Sequence, residues 1–220
     1  MKLIWSLSKY FFVLAGVPVV QFDGYRTPYN VYRRVFPFVY KYLGTCWLAH
    51  WDKPEDIEEW IKEKKESGAI RQIGFSYHGN SDMFCQLVDA YPWDFCQIQY
   101  NYVDTEIQAG DRGYALTEKL GIPLVIMEPV KGGSLAQLPE DVTTPFLNAR
   151  PDSSISSWAL RWVASKPNVK VVLSGMSTME QVEDNLHTFG NFEPLTEEES
   201  AMVSQVAENI KKRTKNGCTG

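Results

Sequence analysis

The sequence predicts an α/β fold, a (β/α)8 or TIM barrel of which about five C-terminal β/α units are clear. Three observations predict it. From residue 46 onward, short apolar runs of strand length alternate with amphipathic stretches of helix length. The loops between them are short, which in a parallel sheet requires helices on the outside. Two strands, in Ile70-Arg-Gln-Ile-Gly-Phe-Ser-Tyr-His-Gly79 and in Val171-Val-Leu-Ser-Gly175, end in small and polar residues, where a parallel barrel holds its ligand.

The elements follow in order. Cys46–His50 reads as a short strand. Pro54–Ser67 reads as a helix: Pro opens it, acidic residues come early, Lys comes late, and Gly68 stops it. Ile57, Trp60 and Ile61 fall three and four apart and give it one buried face. Ile70–Tyr77 is the next strand, and Ser81 is expected to cap a helix to about Tyr91. Phe95–Tyr100 is a strand, and Arg112–Leu120 is a helix stopped by Gly121. Pro123–Glu128 is apolar without alternation, as in a strand buried on both faces. Ser153–Ser165 turns Ile155, Ala159, Leu160 and Val163 inward as a helix. Val169–Leu173 is a strand, and Thr178 caps a helix through about Thr188. Thr196-Glu-Glu-Glu199 is a capping box that opens a last helix to about Lys212.

Eight strands close such a barrel in roughly 250 residues. The first 45 residues supply at most two irregular strands, Phe11–Phe22 and Val35–Tyr40, interrupted by Pro18, Pro28 and Pro37. The first twenty residues are apolar, but Tyr10–Val20 is too short to span a bilayer. A misplaced start or buried barrel strands explain this stretch better than a signal peptide. The expected division is a divergent, irregular segment at 1–45, barrel units at 46–193, and a C-terminal helix and tail at 194–220. An unclosed parallel sheet exposes strand edges, so a low, broad melting transition or aggregation is expected.

Composition narrows the function classes. The chain has 220 residues, enough for one domain with a core, and 44% hydrophobic content excludes general disorder. A formal charge of −5 without a basic stripe argues against nucleic acid. The basic run Lys211–Lys215 reads as a solvated helix end that suits the dipole. Cys46, Cys85, Cys96 and Cys218 form no CxxC pair, and no metal-ligating set is read. The first three sit in apolar surroundings as free thiols, which points to a reducing compartment, the cytoplasm. No membrane partner is expected, and the oligomeric state is open.

Three motifs occur in order: Gly74-Phe-Ser-Tyr-His-Gly79, Met127-Glu-Pro-Val-Lys-Gly-Gly133 and Leu173-Ser-Gly-Met-Ser-Thr-Met-Glu-Gln-Val-Glu-Asp-Asn185. Together they resemble the aldo/keto reductase family, over about Tyr42 to Gly220, and lie nearest to bacterial and archaeal-type members with a ferredoxin-like tail. Cys218-Thr-Gly220 matches the opening of that tail. A [4Fe–4S] cluster needs four thiolates, so it is conceivable only in a longer form.

The resemblance implies hydride transfer between a nicotinamide cofactor and a small carbonyl or alcohol. It also implies a Tyr acid, a Lys and Asp that tune it, and a His that orients the carbonyl. His50, in Leu48-Ala-His-Trp51, is the catalytic candidate. The segment before it lacks the family's Asp-Tyr-x-Asp run. The Tyr and Asp belong to Asp-x-Ala-x-x-x-Tyr-Gly, which is absent; Asp23-Gly-Tyr-Arg-Thr-Pro-Tyr29 imitates it but lies too close to His50. Lys9 is a weak imitation of the Lys strand end.

Ser76 and Gln97 are the candidates for holding the nicotinamide amide, with Met127 where many members stack a Tyr. Tyr77 stands where many have Asn. Gly132 and Gly133 would admit the diphosphate, and Asp184 and Asn185 resemble the adenine and ribose contacts. Relatives that prefer the 2′-phosphate carry a Lys and an Arg at the positions of Gly175 and Gln181, so the cofactor is NADP or NAD. His78 reads as structural or loop-exposed, and His187 as a surface residue. The leading expectation is an aldo/keto reductase-type oxidoreductase. The alternatives are a nicotinamide-binding or relic fragment lacking the Tyr/Lys/Asp set, and one piece of a larger redox enzyme.

Overall fold

The computed structural model describes residues 2–5, 13–14, 17–23, 54–190 and 192–213, with side chains from Glu58 onward. Seven strands are described: β1 (Lys2–Trp5), β2 (Val13–Leu14), β3 (Val17–Asp23), β4 (Gly74–His78), β5 (Phe95–Gln99), β6 (Leu124–Met127) and β7 (Val169–Ser174). They form one sheet in the order β1-β7-β6-β5-β4-β3-β2. Every neighbouring pair is parallel except β2 with β3.

Helices alternate with these strands. α1 (Pro54–Glu66) precedes β4, α2 (Ser81–Ala90) joins β4 to β5, and α3 (Gly110–Leu120) joins β5 to β6. A 3-10 turn (Lys131–Ala136), α4 (Glu140–Ala149) and α5 (Ile155–Ala164) lie between β6 and β7. α6 (Met179–Gly190) and α7 (Glu197–Arg213) follow. The arrangement is that of a (β/α) barrel, and among the described residues the sheet has two edges, β1 and β2.

The N-terminal segment holds more strand than its sequence suggests. Lys2–Trp5 pairs in parallel with Val171–Ser174, and Val19–Asp23 pairs with Gly74–His78. The expected strand over Phe11–Phe22 is broken into β2 and β3, which pair antiparallel with Pro18 opposite Val13. The short β1 has no alternation or turn signal of its own; its register is supplied by the buried β7 beside it. The strands read at Val35–Tyr40 and Cys46–His50 lie outside the described residues, as do Cys46 and Cys218.

Local chemistry explains most boundaries. Asn80, not Ser81, caps α2: its side chain accepts from the Met83 N–H at 2.9 Å. Asn and Ser are comparable caps, so sequence alone separates them poorly. β4 begins at Gly74 rather than Ile70. The preceding turn is held by Asp94, whose carboxylate accepts from the Ile73 N–H and the Lys65 ammonium, both at 2.7 Å. Gly121 ends α3 at φ 69°, the left-handed conformation that glycine adopts without steric cost. The capping box at α7 forms reciprocally: Thr196 N–H donates to Glu199 at 2.9 Å, and Glu199 N–H donates to Thr196 at 3.2 Å. α4 carries no clear signal in the sequence, because Pro145 inside the helix masks the periodicity.

The two faces of the sheet have different cores. On the helix side Phe75, Tyr77, Ile98, Leu124, Ile126 and Val172 are buried against α2, α3 and α5. On the inner side Phe95, Val125 and Leu173 pack together, with Met127 and Val171 against them. Alternation along each strand produces this division. In β7 the register slips: Leu124 pairs with Val169 but Val125 pairs with Val171. Lys170 is the extra residue of this bulge, and it resets which side chains turn inward. Gly74 makes room for the Phe95 ring, since a Cβ there would lie 2.5 Å from the Phe95 carbonyl oxygen and 2.6 Å from its ring. Tyr102, Phe146, Trp158 and Val203 form a second core between α4, α5 and α7. Among the described residues no helix is long and apolar enough to cross a membrane.

Candidate functional site

The order β4-β5-β6-β7 sets four parallel strand ends side by side, the end of a barrel where sites are built. Ser76 and Gln97 are register partners on β4 and β5. Gln97 donates through Nε2 to Ser76 Oγ at 3.2 Å and lies 3.6 Å from the Met127 sulphur. Strand parity puts all three on the inner face, above the Phe95–Val125–Leu173 layer. Ser76 is buried and Gln97 half-buried. The Gln97 carbonyl oxygen has no hydrogen-bond donor among the described residues. A half-buried amide held by one hydroxyl and one thioether retains capacity for a ligand.

Tyr77 points away from this cluster. Its ring packs 5.5 Å from Phe84, and its hydroxyl donates to the Asn80 carbonyl at 2.9 Å. Burial, followed by the nearby Cys85, raises its pKa. It belongs to the outer core and offers nothing to an inner-face ligand. His78, half-buried at the last position of β4, has the inward parity of Ser76.

Beyond Gln97 lies a polar network that the sequence reading missed. Asn101 Oδ1 accepts from the N–H groups of Val103 and Asp104 at 3.1 and 2.9 Å, folding the chain into a tight turn after β5. Its Nδ2 donates to Asp104 at 3.1 Å. Gln99 donates to Asp104 at 3.4 Å and accepts from Gln108 at 2.7 Å. Lys131 reaches both Asp104 oxygens, at 2.6 and 2.5 Å, although Asp104 has a side chain only 4% exposed. This pair ties the loop after β6 to the loop after β5. The one available signal was Asn101 and Asp104 standing immediately after an apolar strand.

The loop after β6 has an uncommon backbone. Glu128 (φ 53°), Lys131 (φ 50°), Gly132 (φ 62°) and Gly133 (φ 93°) all lie in the left-handed region. At the two non-glycine positions this stores strain, which the Lys131–Asp104 pair and the Lys131 N–H to Glu128 carbonyl bond (3.0 Å) offset. A Cβ on Gly132 or Gly133 would meet nothing within 4 Å, so backbone conformation, not crowding, calls for glycine. Gly133 N–H donates to the Val130 carbonyl at 3.0 Å. That amide is engaged within its own loop.

The residues after β7 are also tied into the protein. Asn185 is buried and donates to Ser174 Oγ at 2.9 Å. Asp184 accepts from Ser154 at 2.7 Å and Ser156 at 2.9 Å, joining α6 to the start of α5. Gln181 caps α6, accepting from the Ser177 N–H at 2.7 Å and the Thr178 N–H at 3.3 Å. Gly175 is exposed, without positive φ, and has open space around a built Cβ. The structure thus gathers Ser76, Gln97 and Met127 into one cluster and leaves Asp184 bonded to the start of α5 and Asn185 to Ser174 of β7. His50 lies outside the described residues. Cys96 is a buried free thiol and Cys85 a half-buried one.

Comparison with known proteins bears on this arrangement. An aldo-keto reductase from Bacillus halodurans in its holo form superposes with a TM-score of 0.55 at 22% identity, over 67% of this chain and 54% of that one. An aldo/keto reductase from Klebsiella pneumoniae, in complex with NADP and acetate, gives 0.55 at 20% identity, over 68% and 52%. The chain spans about half the length of these structures. No curated protein matches it in sequence. The model of the aldo/keto reductase family matches residues 38–208, most of the sequence. The chain belongs to the aldo/keto reductase family.

Proposed function

We propose that this protein is an oxidoreductase that transfers hydride between a nicotinamide cofactor, NADP or NAD, and a small carbonyl or alcohol. The observation that carries the proposal is the Ser76–Gln97–Met127 cluster on the inner face of adjacent strands. A hydroxyl beside a carboxamide can clamp the nicotinamide amide, which offers both a donor and an acceptor. The soft Met127 side chain would lie against the ring. When bound, the nicotinamide supplies the hydride.

The rest of the chain would serve that geometry. The Gly132–Gly133 turn would admit the diphosphate. Asp184 and Asn185 would meet the adenosine end by exchanging their present serine partners for it. His50 would donate a hydrogen bond to the substrate oxygen and so favour the developing negative charge. The absence of Asp-x-Ala-x-x-x-Tyr-Gly from the sequence favours a second reading, binding without turnover.

Oxidation of NADPH and NADH with a panel of small aldehydes tests the proposal, by the loss of reduced-nicotinamide absorbance. Turnover that falls about 10²-fold in His50→Ala supports the enzymatic reading. Dinucleotide binding with no turnover on any aldehyde would support the second.

A further inference from the structure

A cavity of about 610 Å³ opens on the outer side of the barrel between α3, α5 and α7. Tyr102, Tyr114, Trp162 and Lys166 line it, together with Ser204 and Lys211 of α7. None of these residues belongs to the cluster at Gln97. Its size is that of a small-molecule site, not of a packing gap.

Two lining groups lack hydrogen-bond partners among the described residues. The Tyr102 hydroxyl is buried, in a residue only 3% exposed, and has no hydrogen bond among the described residues. A buried hydroxyl left in that state is costly and calls for an acceptor or donor to fill it. The Lys166 ammonium is half-buried and lies 4.3 Å from the Trp162 ring centre, 5.0 Å from Tyr114 and 5.4 Å from Tyr100. Those rings hold the cation by their faces. They leave its N–H donors unfilled: Lys166 makes no ion pair or side-chain hydrogen bond among the described residues. Both side chains approach one indole: Lys166 Nζ lies 4.3 Å from the Trp162 ring centre, and the Tyr102 and Trp162 ring centres are 6.4 Å apart.

The charge pattern narrows the ligand. The carboxylates of the lining, Asp111 and Glu208, are exposed, and Asp111 already accepts the Tyr100 hydroxyl. Lys166 is the one half-buried cation of the lining, and Asp111 and Glu118 act on it from nearby, opposing the fall in its pKa on burial. One cation and one hydroxyl donor match one anion with two acceptor oxygens. A doubly charged phosphate would need more donors than these. We infer that this cavity binds a small organic carboxylate, with one oxygen on Lys166 Nζ, the other on the Tyr102 hydroxyl, and the apolar body against Trp162 and Tyr114.

Calorimetric titration of the full chain with benzoate tests this, with inorganic phosphate as a second probe. The expected result is saturable one-site binding of benzoate, weakened several-fold in Tyr102→Phe and about tenfold or more in Lys166→Met. Phosphate should bind more weakly. Tyr102→Phe removes only a hydroxyl that has no partner among the described residues, so its fold is retained, and it decides the matter alone if Lys166→Met is unstable. Gln97→Leu should leave benzoate affinity unchanged, which separates this site from the strand ends. No saturable benzoate binding, binding indifferent to Tyr102→Phe, weakening by Gln97→Leu, or tighter binding of phosphate would each overturn the inference.

Discussion

Gly175 is where a single side chain should alter cofactor choice. The position is exposed, its backbone suits any residue, and a Cβ would meet open space. A Lys there could reach a 2′-phosphate without disturbing the Gln181 cap of α6. Gly175→Lys should raise NADPH affinity relative to NADH by about tenfold, a charge-assisted bond being worth roughly 1.5–3 kcal/mol. Competitive titration of the two dinucleotides checks it, and an unchanged ratio would place the adenosine end elsewhere. Ser76 and Gln97 were legible in sequence because polar residues inside apolar strands require partners. The Lys131–Asp104 pair was not, because its members are 27 residues apart and meet only through the register of β5 and β6. Asp184 and Asn185 show the converse. Their motif was legible, but their serine partners on β7 and at the start of α5 were not.

Among the elements, β4 and β5 are coupled by the absence of a side chain at Gly74. Any Cβ there would collide with the Phe95 backbone and ring, and the ring is part of the inner layer with Val125 and Leu173. Backbone cannot move aside cheaply, so Gly74→Ala should destabilise the fold by about 1–3 kcal/mol. Urea denaturation checks this; a variant as stable as the parent would mean that the β4–β5 spacing is looser than described. Element types from β4 onward were legible, since buried parallel strands read as apolar runs and helices carry caps and one apolar face. The exceptions have local causes. Pro145 obscured α4, and glycines at positive φ made the 3-10 turn look like plain loop.

At the scale of the whole molecule, stability should fall on the alkaline side. Burial is the first cause raising the pKa values of Tyr77, Tyr91, Tyr100, Tyr102, Tyr114 and Cys96; for Tyr114 the value reaches about 12. Hydrogen bonds to Asp111 and Glu118 add to burial at Tyr100 and Tyr114. The unfolded chain releases these protons near the ordinary values, 9.0 for cysteine and 10.0 for tyrosine. Their contribution is therefore full below those values and is lost as pH rises through the folded ones. Lys166 runs the other way, its pKa lowered by burial against the opposing pull of Asp111 and Glu118, but it is one group against six. The urea midpoint should drop between about pH 8 and about pH 10.5. A constant midpoint would show that these hydroxyls titrate as they do in water. At this scale the sequence was informative about barrel type and silent about how the N-terminal strands pair, because β1 and β3 take their register from β7 and β4 rather than from their own pattern.

The central claim is that the ends of β4, β5 and β6 hold a nicotinamide. Its most direct test is fluorescence titration of the full chain with NADPH and with NADH, beside Gln97→Leu. Saturable binding of at least one dinucleotide, weakened about tenfold by Gln97→Leu, is the predicted result. Failure to bind either, or binding that ignores the loss of the Gln97 amide, would contradict it.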